Sequence, residues 1–219
     1  MTSSPSTVVT LHDAVVLMGG FPLLSGVNLD LEAGSLSVVT GANGAGKTSL
    51  LRLIGGLVAL TSGTGRVSDI DLKTGDLREL RRRVGWLGHE GSFYDDLSVK
   101  ENLVFCAKAL ARPTNEIPGV LDRVGLTSRA SMPAKLLSAG QRRRLGLAWI
   151  LLRRPALWLL DEPYASLDDE GRTFFDQLIG DVVTSGATVL VSAHDPLRSS
   201  ALHPRTLTLA GGLVVGDRS

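Results

Sequence analysis

The chain has 219 residues, with 23 Lys and Arg against 22 Asp and Glu, for a formal charge of +1. That balance supplies no global field for recruiting nucleic acid, and no nucleic-acid partner is expected. The length allows a sizeable core without covalent staples, and the single cysteine, Cys106, excludes both an intramolecular disulfide and a zinc cluster built on thiolates. Residues 1–7 lack the basic and apolar regions of a secretory signal. The longest apolar runs, 145–152 and 156–160, are broken by Arg153, Arg154 and Pro155, well short of the roughly 20 residues that span a bilayer. Cytosolic residence is expected, with any membrane role exercised through a partner.

In chain order, residues 7–17 read as β with a break near His12 and Asp13, and Val27-Asn28-Leu29-Asp30-Leu31 alternates as a half-exposed strand does. Residues 7–35 are therefore expected to form an antiparallel flap. The short apolar run Leu36–Thr40 leads into Gly41-Ala42-Asn43-Gly44-Ala45-Gly46-Lys47-Thr48, with Ser49 next, and then Leu50, Leu53, Ile54 and Leu57 recur at helical spacing. Strand, G-x-x-x-x-G-K-T and helix is the context of a phosphate-binding loop. Glycines let the backbone curl so that successive N–H groups face phosphate oxygens, and the helix start adds its positive dipole end. Lys47 is placed for the β- and γ-phosphates, and the Thr48 hydroxyl for Mg²⁺.

Beyond this helix, Gly55-Gly56 and Thr61-Ser62-Gly63-Thr64-Gly65 break the pattern, and a charged segment from Asp69 to Arg83 leads to the short strand Val84–Leu87. The run Arg81-Arg82-Arg83 reads as a solvated face. Ser98-Val99-Lys100-Glu101 is a capping box ahead of Leu103, Val104, Ala107 and Leu110, and Pro113 and Pro118 separate this helix from a second through Val120, Leu121 and Val124. This helical insertion is the candidate for contact with another molecule. A second box, Ser138 to Gln141, opens a helix with its core face at Leu145, Ala148, Trp149 and Leu152 and its stop at Arg153-Arg154-Pro155. Arg142, Arg143 and Arg144 stand in its first turns against the dipole, a placement open to two readings, solvated side chains or an anion site.

The apolar run Ala156–Leu160 ends in Asp161-Glu162, the pattern of a buried parallel strand delivering two carboxylates beside the phosphate loop. Asp161 suits Mg²⁺ through water, and Glu162 suits orienting or deprotonating an attacking water. A third buried strand, Thr188–Ser192, brings His194 to the same sheet edge, within reach of a γ-phosphate.

These motifs, in this order and over nearly the whole chain, resemble the nucleotide-binding subunits of ABC transporters. The phosphate loop at 41–48, Leu137-Ser138-Ala139-Gly140-Gln141 as a variant of the L-S-G-G-Q signature, Leu159-Leu160-Asp161-Glu162 as the second Walker motif, Ser166-Leu167-Asp168 as the D-loop and His194 as the switch histidine carry the resemblance. It implies an α/β fold, a P-loop core with a parallel sheet and flanking helices (36–97 and 154–219), an antiparallel β segment (7–35) and a helical subdomain (98–153), within one domain over 1–219. It further implies ATP and Mg²⁺ as cofactors and a head-to-tail dimer. ATP at Lys47 and Thr48 of one subunit is then covered by Ser138 and Gly140 of the other, and Asp168 couples the two sites.

Separately encoded integral membrane subunits are the implied partners, which places the chain peripherally on the cytoplasmic face of the membrane. Two positions depart from the family pattern. His89 stands where a coupling-loop glutamine is usual, and Met18, with Phe21 nearby, where an aromatic usually stacks on adenine. The pair Gly88-His89, the run Leu-Ser-Ala-Gly-Gln-Arg and Trp158-Leu159-Leu160-Asp161-Glu162-Pro163 look like the haem-exporter ATPase subunits of cytochrome c maturation. Other short ABC exporters, and soluble ABC ATPases acting on nucleic acid or ribosomes, are the alternatives.

Overall fold

A computed structural model of the chain describes residues 6–88, 93–165, 167–193 and 203–218. Two sheets and six helices make up its regular structure among those residues. The strands β1 (Thr7–Met18) and β2 (Phe21–Glu32) pair antiparallel around Gly19-Gly20, both glycines at positive φ, as a two-residue hairpin turn requires. Strand β3 (Leu36–Thr40) follows, then the helix α1 (Lys47–Ile54), β4 (Ser62–Val67) and β5 (Ile70–Asp71). The next elements are α2 (Leu77–Arg83), β6 (Val84–Leu87), α3 (Val99–Ala109), α4 (Ile117–Arg123) and α5 (Ala139–Arg153). Strand β7 (Leu157–Asp161), α6 (Asp169–Thr184), β8 (Thr188–Ser192), β9 (Arg205–Ala210) and β10 (Leu213–Arg218) complete the chain order.

The first sheet runs β2-β1-β4-β5 and is antiparallel; the second runs β10-β9-β3-β8-β7-β6. In the second sheet, β9, β3, β8, β7 and β6 are parallel, and β10 closes one edge antiparallel to β9. Every residue of β3, β7 and β8 is buried, because the sheet has a core on each face. Alternate residues divide between the two. Val38, Trp158, Leu160, Val189 and Val191 face the helices α3 to α6, while Val39, Leu157, Leu159 and Leu190 face α1 and the antiparallel sheet. Each fully buried aliphatic side chain of this kind contributes about 1.5–3 kcal/mol.

Three local features differ from the sequence reading. The expected break at 61–65 is a strand, β4, because its glycines serve close approach rather than a loop: a Cβ on Gly63 would lie 2.2 Å from the Asp13 carbonyl oxygen, and one on Gly65 would lie 2.8 Å from Leu72. The break near His12 and Asp13 is a bulge inside a continuous β1, with Asp13 at φ 47° and its N–H and carboxylate both bonded to Asn28 at 3.0 Å. The run at 81–83 is only partly a solvated face, since Arg81 donates to the Gly56 carbonyl at 2.7 Å while Arg82 and Arg83 pair with Glu79. The hairpin β9–β10 was not anticipated.

Both capping boxes form, at Ser98 with Glu101 and at Ser138 with Gln141. The helix α5 stops at Arg154 in the left-handed region, φ 49°, ahead of Pro155. Its course is set by two glycines. A Cβ on Gly85 of β6 would lie 2.5 Å from Ile150, and one on Gly146 would lie 2.5 Å from Leu87, so α5 lies close along β6 and its N-terminal turns rise over the end of β7.

Asn102, fully buried in α3, organises the segment leading into that helix. Its Oδ1 accepts from the Tyr94 N–H at 2.9 Å, and its Nδ2 donates to the carbonyls of Tyr94, Leu97 and Ser98 at 3.0–3.2 Å. Asn102→Ala takes the acceptor from the Tyr94 N–H and one donor from each of three carbonyls that keep a backbone partner, and is expected to lower stability by about 1–3 kcal/mol. Urea unfolding of the two chains measures this, and an unchanged midpoint contradicts the anchoring role.

Candidate functional site

The strands β3, β7 and β8 end side by side, with Val39 opposite Ser192 and Asp161 opposite Ser192 in register. The loop 41–46 leaves this edge and is gripped by both sheets. Gly41, at φ 147°, passes so near β9 that a Cβ would sit 2.3 Å from the Leu209 carbonyl oxygen, and Gly46, at φ 106°, would place one 2.8 Å from the Leu23 carbonyl oxygen. The Ala45 carbonyl accepts from the Gly212 N–H at 3.1 Å, and the Gly212 carbonyl from the Ser25 N–H at 2.9 Å, so the hairpin β9–β10 and strand β2 brace the loop from outside.

Helix α1 starts at Lys47 with no side-chain cap and no acidic residue in its first turn. Its opening N–H groups are free of intrahelical partners, the arrangement that receives an anion. Lys47 is buried, and its Nζ donates to the carbonyls of Gly41 at 2.8 Å and Ala42 at 3.1 Å, folding the ammonium over the loop's concave side.

Asp161 is buried at the end of β7, and its Oδ1 accepts from two hydroxyls: Thr48 Oγ1 at 3.1 Å and Ser192 Oγ at 2.6 Å. A carboxylate taken from water needs such donors. The next residue, Glu162, adopts φ 47°, a left-handed conformation that costs a non-glycine residue about 1–3 kcal/mol and persists where neighbours hold it. Its N–H is held by Ser192, through Oγ at 2.9 Å and the carbonyl at 3.2 Å. Its carbonyl is held by Arg143, whose Nη1 donates to Glu162 at 2.7 Å and to the Asp161 carbonyl at 3.3 Å. Burial lowers the Arg143 pKa from its ordinary value, and the nearby charges of Asp161 and Glu162 act in the opposite direction.

The structure thus brings Gly41, Ala42, Asn43, Gly44, Ala45, Gly46, Lys47, Thr48, Ser49, Asp161 and Glu162 to one edge. The residues Leu137 to Gln141 stand apart at the start of α5: Ser138 and Ala139 are exposed, and Ser138 is bonded through the capping box to Gln141. Asp168 is exposed and caps α6, its carboxylate accepting from the Gly171 N–H at 2.8 Å. Met18 and Phe21 face each other beside the Gly19-Gly20 turn, 54% and 77% exposed. His89, His194 and Ser166 lie outside the described residues.

The three arginines at the start of α5 are neither merely solvated nor an open anion site. Arg142 pairs with Asp95, Arg143 grips the turn after β7, and Arg144 donates to the Val124 carbonyl at 3.2 Å with its guanidinium 4.2 Å from the centre of the Phe174 ring. Sequence reasoning missed Ser192 as a functional residue. Its signal was available, a hydroxyl at the end of a buried strand adjacent to one that ends in a carboxylate. The partner of Arg143, a pair of backbone carbonyls, leaves no mark in the sequence.

A phosphate loop at the carboxyl edge of a parallel sheet, with Thr48 on the acidic end of a neighbouring strand, defines the P-loop ATPases. Residues 24–165 match the family model described as ABC transporter, and the chain belongs to that family. Among curated relatives, the cytochrome c biogenesis ATP-binding export protein CcmA of Rhodopseudomonas palustris (strain BisB18) is 43% identical over 193 residues, covering 88% of this chain and 93% of the relative. The protein of the same name from Hyphomonas neptunium is 36% identical over 197 residues, covering 89% and 94%. Among solved structures, a dimeric ATP-binding cassette in a post-hydrolysis state bound to ADP and Pi aligns with TM-score 0.85 and 26% identity, over 96% of this chain and 98% of that one. An ATP-binding subunit of an ABC transporter aligns with TM-score 0.87 and 22% identity, over 97% and 90%, and shows the common fold.

Ser192→Ala removes the shortest hydrogen bond to Asp161 and one of the two acceptors of the Glu162 N–H. A loss of about 1.5–3 kcal/mol is expected, the usual worth of a hydrogen bond to a charged group. Denaturant unfolding at neutral pH checks it, and a midpoint equal to that of the parent chain contradicts it.

Proposed function

We propose that this ABC ATPase works as one half of a head-to-tail pair that powers export through separate integral membrane subunits, with haem export for cytochrome c maturation as its task. The carrying observation is the split of the site. The phosphate loop, Asp161 and Glu162 share one edge, while the Ser138 turn is exposed at the start of another helix with its capping box satisfied. A second copy then brings its Ser138 and Gly140 to the nucleotide held by the loop. The haem assignment is supported by the Gly88-His89 and signature sequences and by relatives that are ATP-binding export proteins of cytochrome c biogenesis.

In this reading the N–H groups of the loop and of Lys47, Thr48 and Ser49 bind the phosphates, and the Lys47 ammonium offsets their charge. Met18 or Phe21 lies against the adenine. The oxygens of Thr48 and Asp161, 3.1 Å apart, are the hard donors that Mg²⁺ takes while keeping several waters, so the residues fit that ion. Mg²⁺ supplies charge neutralisation at the β- and γ-phosphates when bound. Glu162 orients the attacking water and accepts its proton as the water oxygen bonds to the γ-phosphorus and the bond to the β–γ bridging oxygen breaks, releasing ADP and phosphate. His194 contacts the γ-phosphate, His89 takes the coupling-loop position, and Asp168 joins the two sites.

No helix among the described residues is long and apolar enough to cross a membrane; the proposed export role is what places the chain peripherally on the cytoplasmic face. The contact for a membrane subunit is the exposed pair Tyr94 and Phe105, whose rings meet edge-on at 4.8 Å beside the segment anchored by Asn102. An apolar, rigid platform of this kind suits a protein partner.

Glu162→Gln keeps the shape of the site and removes the base. Turnover of ATP is expected to fall by about 10²–10⁴-fold, while nucleotide affinity stays within about twofold. Steady-state phosphate release and fluorescent-nucleotide titration measure the two. Retention of near-parental turnover overturns the assignment of the base.

A further inference from the structure

We propose that Arg143 is a positioning residue for hydrolysis, joining the helix that begins at Ser138 to the backbone of this chain's own Glu162. The inference deepens the function proposed above and rests on it. The peptide on each side of Glu162 is held from a different element. Ser192, at the end of β8, takes its N–H at 2.9 Å, and Arg143, in the second turn of α5, takes its carbonyl at 2.7 Å and that of Asp161 at 3.3 Å. Between these holds, with the Ala165 N–H also on its carbonyl at 3.1 Å, the residue keeps φ 47°, a conformation costly to a non-glycine residue.

The neighbours of Arg143 do other work. Arg142 reaches Asp95 and Arg144 reaches Val124 and Phe174, all away from β7. Arg143 alone of the three connects α5 to the two carboxylate-bearing residues. It stands five residues from Ser138, about 7.5 Å along the helix axis at the usual rise. The close packing at Gly85 and Gly146 makes α5 a stiff lever against β6. A nucleotide of the partner subunit that draws the start of α5 toward itself therefore pulls on the backbone that aims Glu162. Each site reports its occupancy to the catalytic carboxylate of the other through one guanidinium.

Arg143→Met removes both hydrogen bonds, which one nitrogen makes, while keeping the bulk of the stem, and Arg143→Lys keeps the charge and an N–H donor group on a shorter stem. With the full chain and Mg-ATP, Arg143→Met is expected to lower kcat by about 10- to 100-fold, the scale of a small misplacement of a reacting group, with KM changed by less than about threefold and Arg143→Lys recovering to within about fivefold of the parent. Turnover is expressed per folded chain, from the native fraction by near-ultraviolet circular dichroism. Should Arg143→Met not fold, Arg143→Gln, which retains an amide donor, is read in its place by the same kcat and KM split. Parental kcat per folded chain in Arg143→Met, or a rise in KM at constant kcat, overturns the proposal. If Glu162→Gln collapses turnover while Arg143→Met keeps the parental kcat per folded chain, the positioning role fails and the proposed function stands; if the parent chain itself does not hydrolyse ATP, the function fails.

Discussion

A carboxylate buried at the end of a core strand must be met by donors, and the way Asp161 is met determines how the site is assembled. Its Oδ1 takes the hydroxyls of Thr48 and Ser192, one from the start of α1 and one from the end of β8. Three elements distant in sequence are thereby fixed at one point of the sheet edge. The phosphate loop hangs from this point on one side and from the Leu209 and Leu23 carbonyls on the other, through glycines that admit no side chain. Glu162 follows immediately, turned out of the strand direction by its left-handed backbone and restrained by Ser192 and Arg143. The architecture delivers the loop amides, the Thr48–Asp161 oxygen pair and Glu162 to one place, the groups to which the proposed function gives phosphate, ion and base roles.

The second consequence concerns α5. Its N-terminal end carries the exposed Ser138 and Ala139, capped internally by Gln141, while its second turn is tied back to the β7 edge and its third is packed on β6 through Gly146. In the proposed pair, one helix thus turns an outward end to the neighbouring chain's nucleotide and keeps an inward hold on Glu162 of its own chain. Under that proposal each chain is both the holder of one nucleotide and the cover of another.

Much of this was legible in the sequence because the signals were local. The limits of β3, β6 and β8 followed from short apolar runs between turn residues, and the loop from its glycines and lysine. Both capping boxes, at Ser98 and Ser138, were visible as Ser-x-x-Glu and Ser-x-x-Gln. What escaped was set by tertiary contact. Strand β4 hides behind Gly63 and Gly65, whose small size answers to Asp13 and Leu72 from distant segments. The hairpin β9–β10 was not anticipated, and its place is set by the pairing of β9 with β3. Arg143 looked like one of three equivalent cations opposing a helix dipole; only the position of α5 over β7 separates it from Arg142 and Arg144.

The central claim is that the loop at 41–48 is half of a nucleotide site. It is tested most directly by the mass in solution of the Glu162→Gln chain, measured by light scattering with ATP and with ADP. The account predicts a species of twice the chain's mass with ATP that reverts to the single chain with ADP or when Ser138 is replaced by a bulky residue. A single chain with saturating bound ATP, at concentrations well above the nucleotide affinity, would contradict it.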